Sequence, residues 1–304
     1  MPVFRKPPAE PDGLLPLTVE QAATLRRLVR DAFAAHGREV TIEADHVSDD
    51  TGAQFGLWNL AVLCSQHKER KWPVLVGTHV GNLIAPGNDI ELIPEEQLID
   101  LVHLRLQSED TGVDVSEHAV AHAIPGVYTV LAVDLPTMVT SPKTSYWDER
   151  GGVARWTEVG QRNLAALVGA PDIEPHRVEQ GDTAFTLLLG ESFFTASLAL
   201  VIDDALRRYE PAADLTHGVL VAFPNRHQLI WRAVDDASVI PSLNGMIAFT
   251  AMGYDGGAGP LSREIFWRHQ GRWEQLTETR DGQPTVNVSP EFQAVLERLV
   301  QDTS

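Results

Sequence analysis

Gly218-Val219-Leu220-Val221-Ala222-Phe223-Pro224-Asn225-Arg226-His227-Gln228-Leu229-Ile230-Trp231-Arg232-Ala233 is the stretch whose reading decides the fold. Two apolar runs, 218–223 and 228–233, flank the connection Pro224-Asn225-Arg226. A link that short joins antiparallel neighbours, because a parallel crossover needs a dozen or more residues. Downstream the pattern predicts a helix over 240–252, then a hairpin over 264–276 turning at Gln270-Gly271, then a terminal helix opened by Ser289-Pro290. Upstream it predicts a strand at 185–189 followed by a helix over about 193–209. Further back come strands at 102–106, 118–124 and 128–133 and a helix over 156–168.

The first 85 residues read differently. Thr18-Val19-Glu20-Gln21 has the form of a capping box, and Leu25, Leu28, Val29, Ala32 and Phe33 recur at helical spacing behind it. Gly37 stops that helix, Val40, Ile42 and Ala44 alternate as on a strand, Asp49-Asp50-Thr51-Gly52 forms a turn, and 54–58 is a return strand. Asn59 is placed to cap a helix carrying Cys64, and Pro73 to open another. The expectation is therefore an α+β protein: a mixed, largely antiparallel sheet with flanking helices, preceded by a small α-β-β-α-α region. Its parts are a disordered tail at 1–17, the N-terminal region at 18–85, and a linker with a short helix at 86–100, beginning at Pro86-Gly87-Asn88-Asp89. The main α+β domain follows at 101–276, and a C-terminal segment with a helix at 277–304.

Charge narrows the partners. The chain carries 42 acidic and 24 basic side chains, a formal charge of −18. Such a field repels phosphate backbones and anionic bilayers and speeds encounters with cationic proteins. A protein partner is expected, and neither nucleic acid nor membrane. The basic cluster Lys68, Arg70, Lys71 is short and broken by Glu69. No run approaches the roughly 20 apolar residues that cross a bilayer. The single cysteine, Cys64, has no disulfide partner in the chain and fits a reducing, cytoplasmic setting.

Several segments resemble the YtpQ-like family of uncharacterised bacterial proteins. They are Gly126-Val127-Tyr128-Thr129-Val130-Leu131-Ala132-Val133-Asp134-Leu135-Pro136, Asn163-Leu164 and Phe193-Phe194-Thr195-Ala196-Ser197. The resemblance continues in Val219-Leu220-Val221-Ala222-Phe223-Pro224-Asn225-Arg226-His227 and in Pro260-Leu261-Ser262, so it spans 126–276. It implies a fold and a bacterial source, and no activity, since the family has none assigned.

The remaining motifs are incomplete. Gly190-Glu191-Ser192 lies between an apolar strand and an apolar segment, the setting of a nucleophile elbow, and Asp235 (or Asp236) and His269 follow in hydrolase order. Phe194 stands where the elbow needs glycine, so a serine opening a helix explains Ser192 without catalysis. A serine hydrolase using Ser192 is the rival function, and nucleic-acid binding the third. His118 and His122 on a strand sit roughly 13 Å apart, too far to share a metal ion. Gly253-Tyr254-Asp255-Gly256-Gly257-Ala258-Gly259-Pro260 follows a helix instead of preceding one, the wrong order for a nucleotide loop. The carboxylate pairs Asp49-Asp50, Asp203-Asp204 and Asp235-Asp236 lack the spacing of a calcium loop. No metal and no cofactor is expected. Trp231, Trp267 and Trp273 are candidates for an aromatic sheet face, and Arg226 with His227 for a binding site on the loop after Pro224. The sequence thus points to a non-catalytic protein-binding or adaptor module.

Overall fold

A computed structural model of the chain describes residues 10–49, 54–85, 90–109, 115–136 and 138–302. The turn expected at Asp50-Thr51-Gly52 and the break at Pro86-Gly87-Asn88-Asp89 lie outside the described residues. Two compact units emerge: Met1–Asp89 with Pro136–Met138, and Ile90–Leu135 with Val139–Ser304. The fold is α+β. Every strand pairing among the described residues is antiparallel, so the expected mixed sheet is corrected to antiparallel sheets.

In the first unit, helix α1 (Val19–Ala35) opens on the capping box: Thr18 Oγ1 accepts from Gln21 N–H at 3.3 Å and Gln21 Oε1 accepts from Thr18 N–H at 3.2 Å. Three strands follow, β1 (Val40–Ile42), β2 (His46–Asp49) and β3 (Gln54–Gly56), in spatial order. The extra strand arises because the chain reverses early, with Glu43 N–H bonding His46 O at 2.9 Å. Helix α2 (Trp58–Ser65) is capped by Leu57 and not by Asn59. Helix α3 (Trp72–Leu83) carries Pro73 in its first turn, where its missing N–H costs nothing. The Trp72 indole donates to Cys64 O at 2.8 Å, and Cys64 itself is fully buried, which pushes its thiol up to about 11.

The tail expected over 1–17 is packed from residue 10 onward. Leu15 and Leu17 join the core of α1–α3, and proline does not prevent an irregular segment from burying leucines. Asp12 anchors it. One carboxylate oxygen accepts from Leu14 N–H (3.1 Å) and Leu15 N–H (3.0 Å), and the carboxylate pairs with Arg26 at 3.1 Å. Burial alone would raise its pKa, but these N–H donors and the guanidinium outweigh it and hold the pKa below the ordinary value. Asp12→Ala is expected to lower the stability of this unit by about 1–3 kcal/mol, read by thermal melting. A lowered native pKa contributes stability above the ordinary carboxylate range that is lost as pH falls through the native value, so Asp12→Asn should flatten the acid limb of the stability curve.

The second unit begins with helix α4 (Glu95–Leu101), which runs straight into β4 (Val102–Ser108). Strands β5 (Ala119–Ile124), β6 (Val127–Asp134) and β7 (Val139–Thr140) complete a four-stranded sheet, with β6 between β4 and β5. After the short helix α5 (Thr144–Asp148), helix α6 (Val153–Ala166) packs on β4. Gly160 permits the close approach, since a Cβ there would sit 3.0 Å from the His103 backbone, and Asn163 Nδ2 donates to Ile99 O and Val102 O at 2.6 and 2.8 Å.

A six-stranded sheet forms the rest. Its strands are β8 (Ile173–Gln180), β9 (Thr183–Gly190), β10 (Val219–Ala222), β11 (Gln228–Ala233), β12 (Phe266–His269) and β13 (Arg272–Gln275). The spatial order is β13-β12-β10-β11-β9-β8, so β10 and β11 are central, which explains their nearly unbroken apolar character. Helix α7 (Ile202–Tyr209) lies between β9 and β10 in sequence, α8 (Val239–Gly256) between β11 and β12. A second hairpin, β14 (Thr277–Arg280) and β15 (Gln283–Val286), precedes α9 (Pro290–Asp302). The C-terminal segment expected as separate is part of the main core: Phe292, Val295 and Leu299 of α9 pack with Val239, Leu243 and Met246 of α8 against Leu220, Ile230 and Trp267. Burying each such side chain contributes roughly 1.5–3 kcal/mol. That much apolar surface could not stand alone in water.

Candidate functional site

One end of the six-stranded sheet gathers three loops. Strand β9 ends there, β11 starts, β10 ends and β12 starts, as the pairs Leu189↔Gln228, Ala222↔Ile230 and Val221↔Phe266 require. Segments 190–195, 223–227 and 257–265 therefore meet. Backbone hydrogen bonds stitch them together: Gly190 N–H to His227 O (3.2 Å), Ala196 N–H to Arg226 O (3.1 Å), Arg226 N–H to Gly259 O (2.9 Å) and Leu261 N–H to Pro224 O (2.9 Å).

Glycines clear the space. A Cβ at Gly257 would lie 2.2 Å from Asn225 Nδ2, one at Gly259 2.7 Å from Arg226 Cδ, and one at Gly253 2.9 Å from Pro224 Cγ. The glycine-rich run is thus a packing cradle for the loop 224–228. Asn225 is buried within it, donating to Gly253 O at 2.8 Å and accepting from His227 N–H at 3.0 Å. A loop fixed on so many sides presents its side chains in one arrangement.

Arg226 and His227 come together as a unit. His227 Nδ1 donates to Gly190 O at 3.0 Å, which leaves Nε2 to accept from Arg226 Nε–H at 2.9 Å. The ring is neutral in that arrangement, and burial first, then the Arg226 charge, lowers its pKa. The Arg226 guanidinium lies 4.1 Å from the centroid of Phe193, a cation–π geometry. Burial, and next the charge of Arg105, pull its pKa down to about 9. Arg105, on β4, reads in sequence as a solvent-facing strand position and gives no local signal of this neighbourhood.

Ser192 belongs to the same end, and the Asp235 and His269 expected to follow it in hydrolase order do not join it there. The Ser192 hydroxyl accepts from Phe194 N–H at 3.1 Å, and its carbonyl from Thr195 N–H (3.3 Å) and Thr195 Oγ1 (3.0 Å). The expected helix at 193–209 is instead a turn, then a 3-10 helix over Ala196–Val201, then α7. Ser197 explains the departure, because its hydroxyl accepts from Leu106 N–H at 3.0 Å on the edge strand β4 and leaves the i−4 helical pattern. Asp235 and His269 lie at the opposite end of the sheet, beyond the pairs Val219↔Ala233 and Val219↔Arg268. Five strand steps of about 3.3 Å put them roughly 17 Å from the Ser192 end. Asp235 pairs with Arg232 at 2.8 Å, and His269 stacks on Trp267. A fluorophosphonate probe is expected to leave Ser192 unlabelled by intact-mass spectrometry, with a stoichiometric adduct overturning the assignment.

The other candidates disperse. His118 Nδ1 bonds Ser141 O at 2.7 Å and precedes β5, whereas His122 pairs with Glu109 and packs on Tyr128. Asp203 grips Arg268, and Asp204 pairs with Arg207 at 3.0 Å. Trp267 lies on the opposite face from Trp231, since they pair with the consecutive residues Leu220 and Val221, whereas Trp273, whose partner Arg268 pairs with Val219, lies on the Trp231 face. Among the described residues no helix is long and apolar enough to cross a membrane. Comparison with models of known families, with curated proteins and with solved structures yields no match.

Proposed function

We propose that the chain is a non-catalytic protein-binding module whose contact site is the loop bearing Arg226 and His227. The supporting observation is the loop's construction: glycines at 253, 257 and 259 and the buried Asn225 fix a cation and an aromatic ring at a sheet end. Preorganisation of that kind reduces the ordering cost of binding. Both ring nitrogens of His227 and the Ser192 hydroxyl are engaged internally, which favours recognition over hydrolysis. The resemblance of 126–276 to a family without assigned chemistry supports the same reading. The −18 charge steers cationic proteins toward the chain and opposes nucleic acid, and the lone buried Cys64 fits a cytoplasmic setting.

The test is affinity capture from the cell of origin with the wild-type chain and with Arg226→Ala. One partner retained by the wild type and lost by a variant of unchanged melting temperature is the expected result. Its association rate should fall as salt rises. Equal recovery by both chains, or nucleic acid as the retained species, would sink the proposal.

A further inference from the structure

The chain has an excess of acidic side chains, 42 against 24 basic, so an arginine without a carboxylate is a choice the sequence did not need to make. Many arginines elsewhere take one, as Arg26 does with Asp12, Arg155 with Glu95, Arg232 with Asp235 and Arg268 with Asp203, whereas Arg30, Arg162, Arg208 and Arg298, which show none among the described residues, are exposed to water. Arg105 and Arg226, both half-buried, have no carboxylate partner among the described residues. The Arg105 Nε is moreover buried without any hydrogen-bond partner.

These two side chains belong to one neighbourhood. Leu106, next to Arg105 on β4, donates its N–H to Ser197 Oγ at 3.0 Å, and Ala196 donates to Arg226 O at 3.1 Å. Two consecutive residues of one turn thus join the two backbones, and His103, on the same face of β4 as Arg105, stacks at 4.6 Å on Phe194, the neighbour of the Phe193 ring beneath Arg226. Burial first, and then the like charge of Arg105, lowers the Arg226 pKa, in keeping with that placement. Packing two guanidiniums together in a part-buried place costs free energy unless an anion compensates them.

We propose that Arg105 and Arg226 form a binding site for a dianion of the phosphate class, a phosphate monoester or inorganic phosphate. The stoichiometry of charge favours this over a carboxylate: a phosphate group carries about −1.5 to −2 near neutrality, whereas a monocarboxylate neutralises one guanidinium and leaves the other. The guanidinium fork suits two phosphate oxygens at once. Phe193 packs against the Arg226 guanidinium, and His227 takes its Nε–H, which leaves the two Nη groups as the donors that remain. The proposal goes beyond the protein-binding reading and stands without it.

Thermal melting in inorganic phosphate, in phosphoserine, and in acetate at matched ionic strength is the test, with ³¹P line broadening as a readout independent of stability. A saturable rise in melting temperature with either phosphate compound, absent with acetate, is expected. Tighter binding of phosphoserine would mark the ligand as a monoester, and tighter binding of inorganic phosphate as the free ion. Arg226→Lys, which keeps the charge and loses the fork, should weaken binding by about tenfold or more. Arg105→Gln should abolish it without lowering the melting temperature of the unliganded protein, since it removes an uncompensated charge. An equal response to acetate, no saturable response, or phosphate binding that survives in the double variant overturns the site. Failure of partner capture would leave these results untouched, and the reverse holds as well.

Discussion

Gly257→Ala is expected to destabilise the second unit by about 3–5 kcal/mol, and Gly256→Ala, one residue earlier, to be neutral or stabilising by about 0.5–1 kcal/mol. The contrast comes from what a methyl group would meet. At Gly256, an exposed residue closing α8, nothing lies within 4 Å. At Gly257 the new Cβ would fall 2.2 Å from Asn225 Nδ2, 2.6 Å from Asn225 Cγ and 2.5 Å from Gly253 O, so the buried Asn225 must leave. Its departure strips Gly253 O and His227 N–H of partners 2.8 and 3.0 Å away. Unsatisfied buried polar groups cost about 1–3 kcal/mol each, and overpacking adds about as much. Chemical denaturation of the two variants beside the wild type decides it. Equal midpoints would mean that the loop relaxes freely and is not a rigid platform.

Where side-chain chemistry acts locally, the sequence was legible. Thr18 and Gln21 formed their capping box, Pro73 opened its helix, and Gln270 and Gly271 take the positive φ values (49° and 77°) of a tight hairpin turn. The edge strand β8 gives no such signal: it is Ile-Glu-Pro-His-Arg-Val-Glu-Gln, mostly exposed, with Pro175 inside and no apolar alternation. The hairpin β14–β15 carries a strong turn signal in Asp281-Gly282, at φ 51° and 73°, but its flanking residues are polar and show no apolar alternation. Apolar residues 193–201 read as helix, since periodicity cannot see that Ser197 will bond to a strand more than 90 positions earlier. The same limit governs the site. Arg226 and His227 stand out as loop residues after a proline, whereas Arg105 acquires its meaning from tertiary pairing alone.

Removing both carboxylates that serve Arg232 should cost more than removing Arg232 itself. Arg232 sits on the central strand β11 with a side-chain exposure of 7%, whereas Asp235 and Asp236 are 28% and 56% exposed. It contacts Asp235 at 2.8 Å, Asp236 at 3.2 Å and Ser238 Oγ at 3.1 Å. In Asp235→Asn/Asp236→Asn the guanidinium stays buried without a counter-charge, the situation that costs about 3–5 kcal/mol when one side of a buried pair is removed. In Arg232→Met the stranded carboxylates reach water and the methionine fills the strand position, so a loss of roughly 1–2 kcal/mol is expected. Acid should narrow the gap between wild type and the double asparagine variant. The Ser238 hydroxyl first, with the Ser238 N–H and Arg232, outweighs burial and holds Asp236 below the ordinary carboxylate pKa. A depressed native pKa supplies stability above that ordinary value and withdraws it as pH falls through the native one. Wild type should therefore lose stability below about pH 4, and the double asparagine variant should lose less over the same interval. Urea midpoints measured from neutral pH down to strongly acidic conditions test both parts, and a methionine variant weaker than the double asparagine chain at neutral pH would show that packing, not charge compensation, dominates at Arg232.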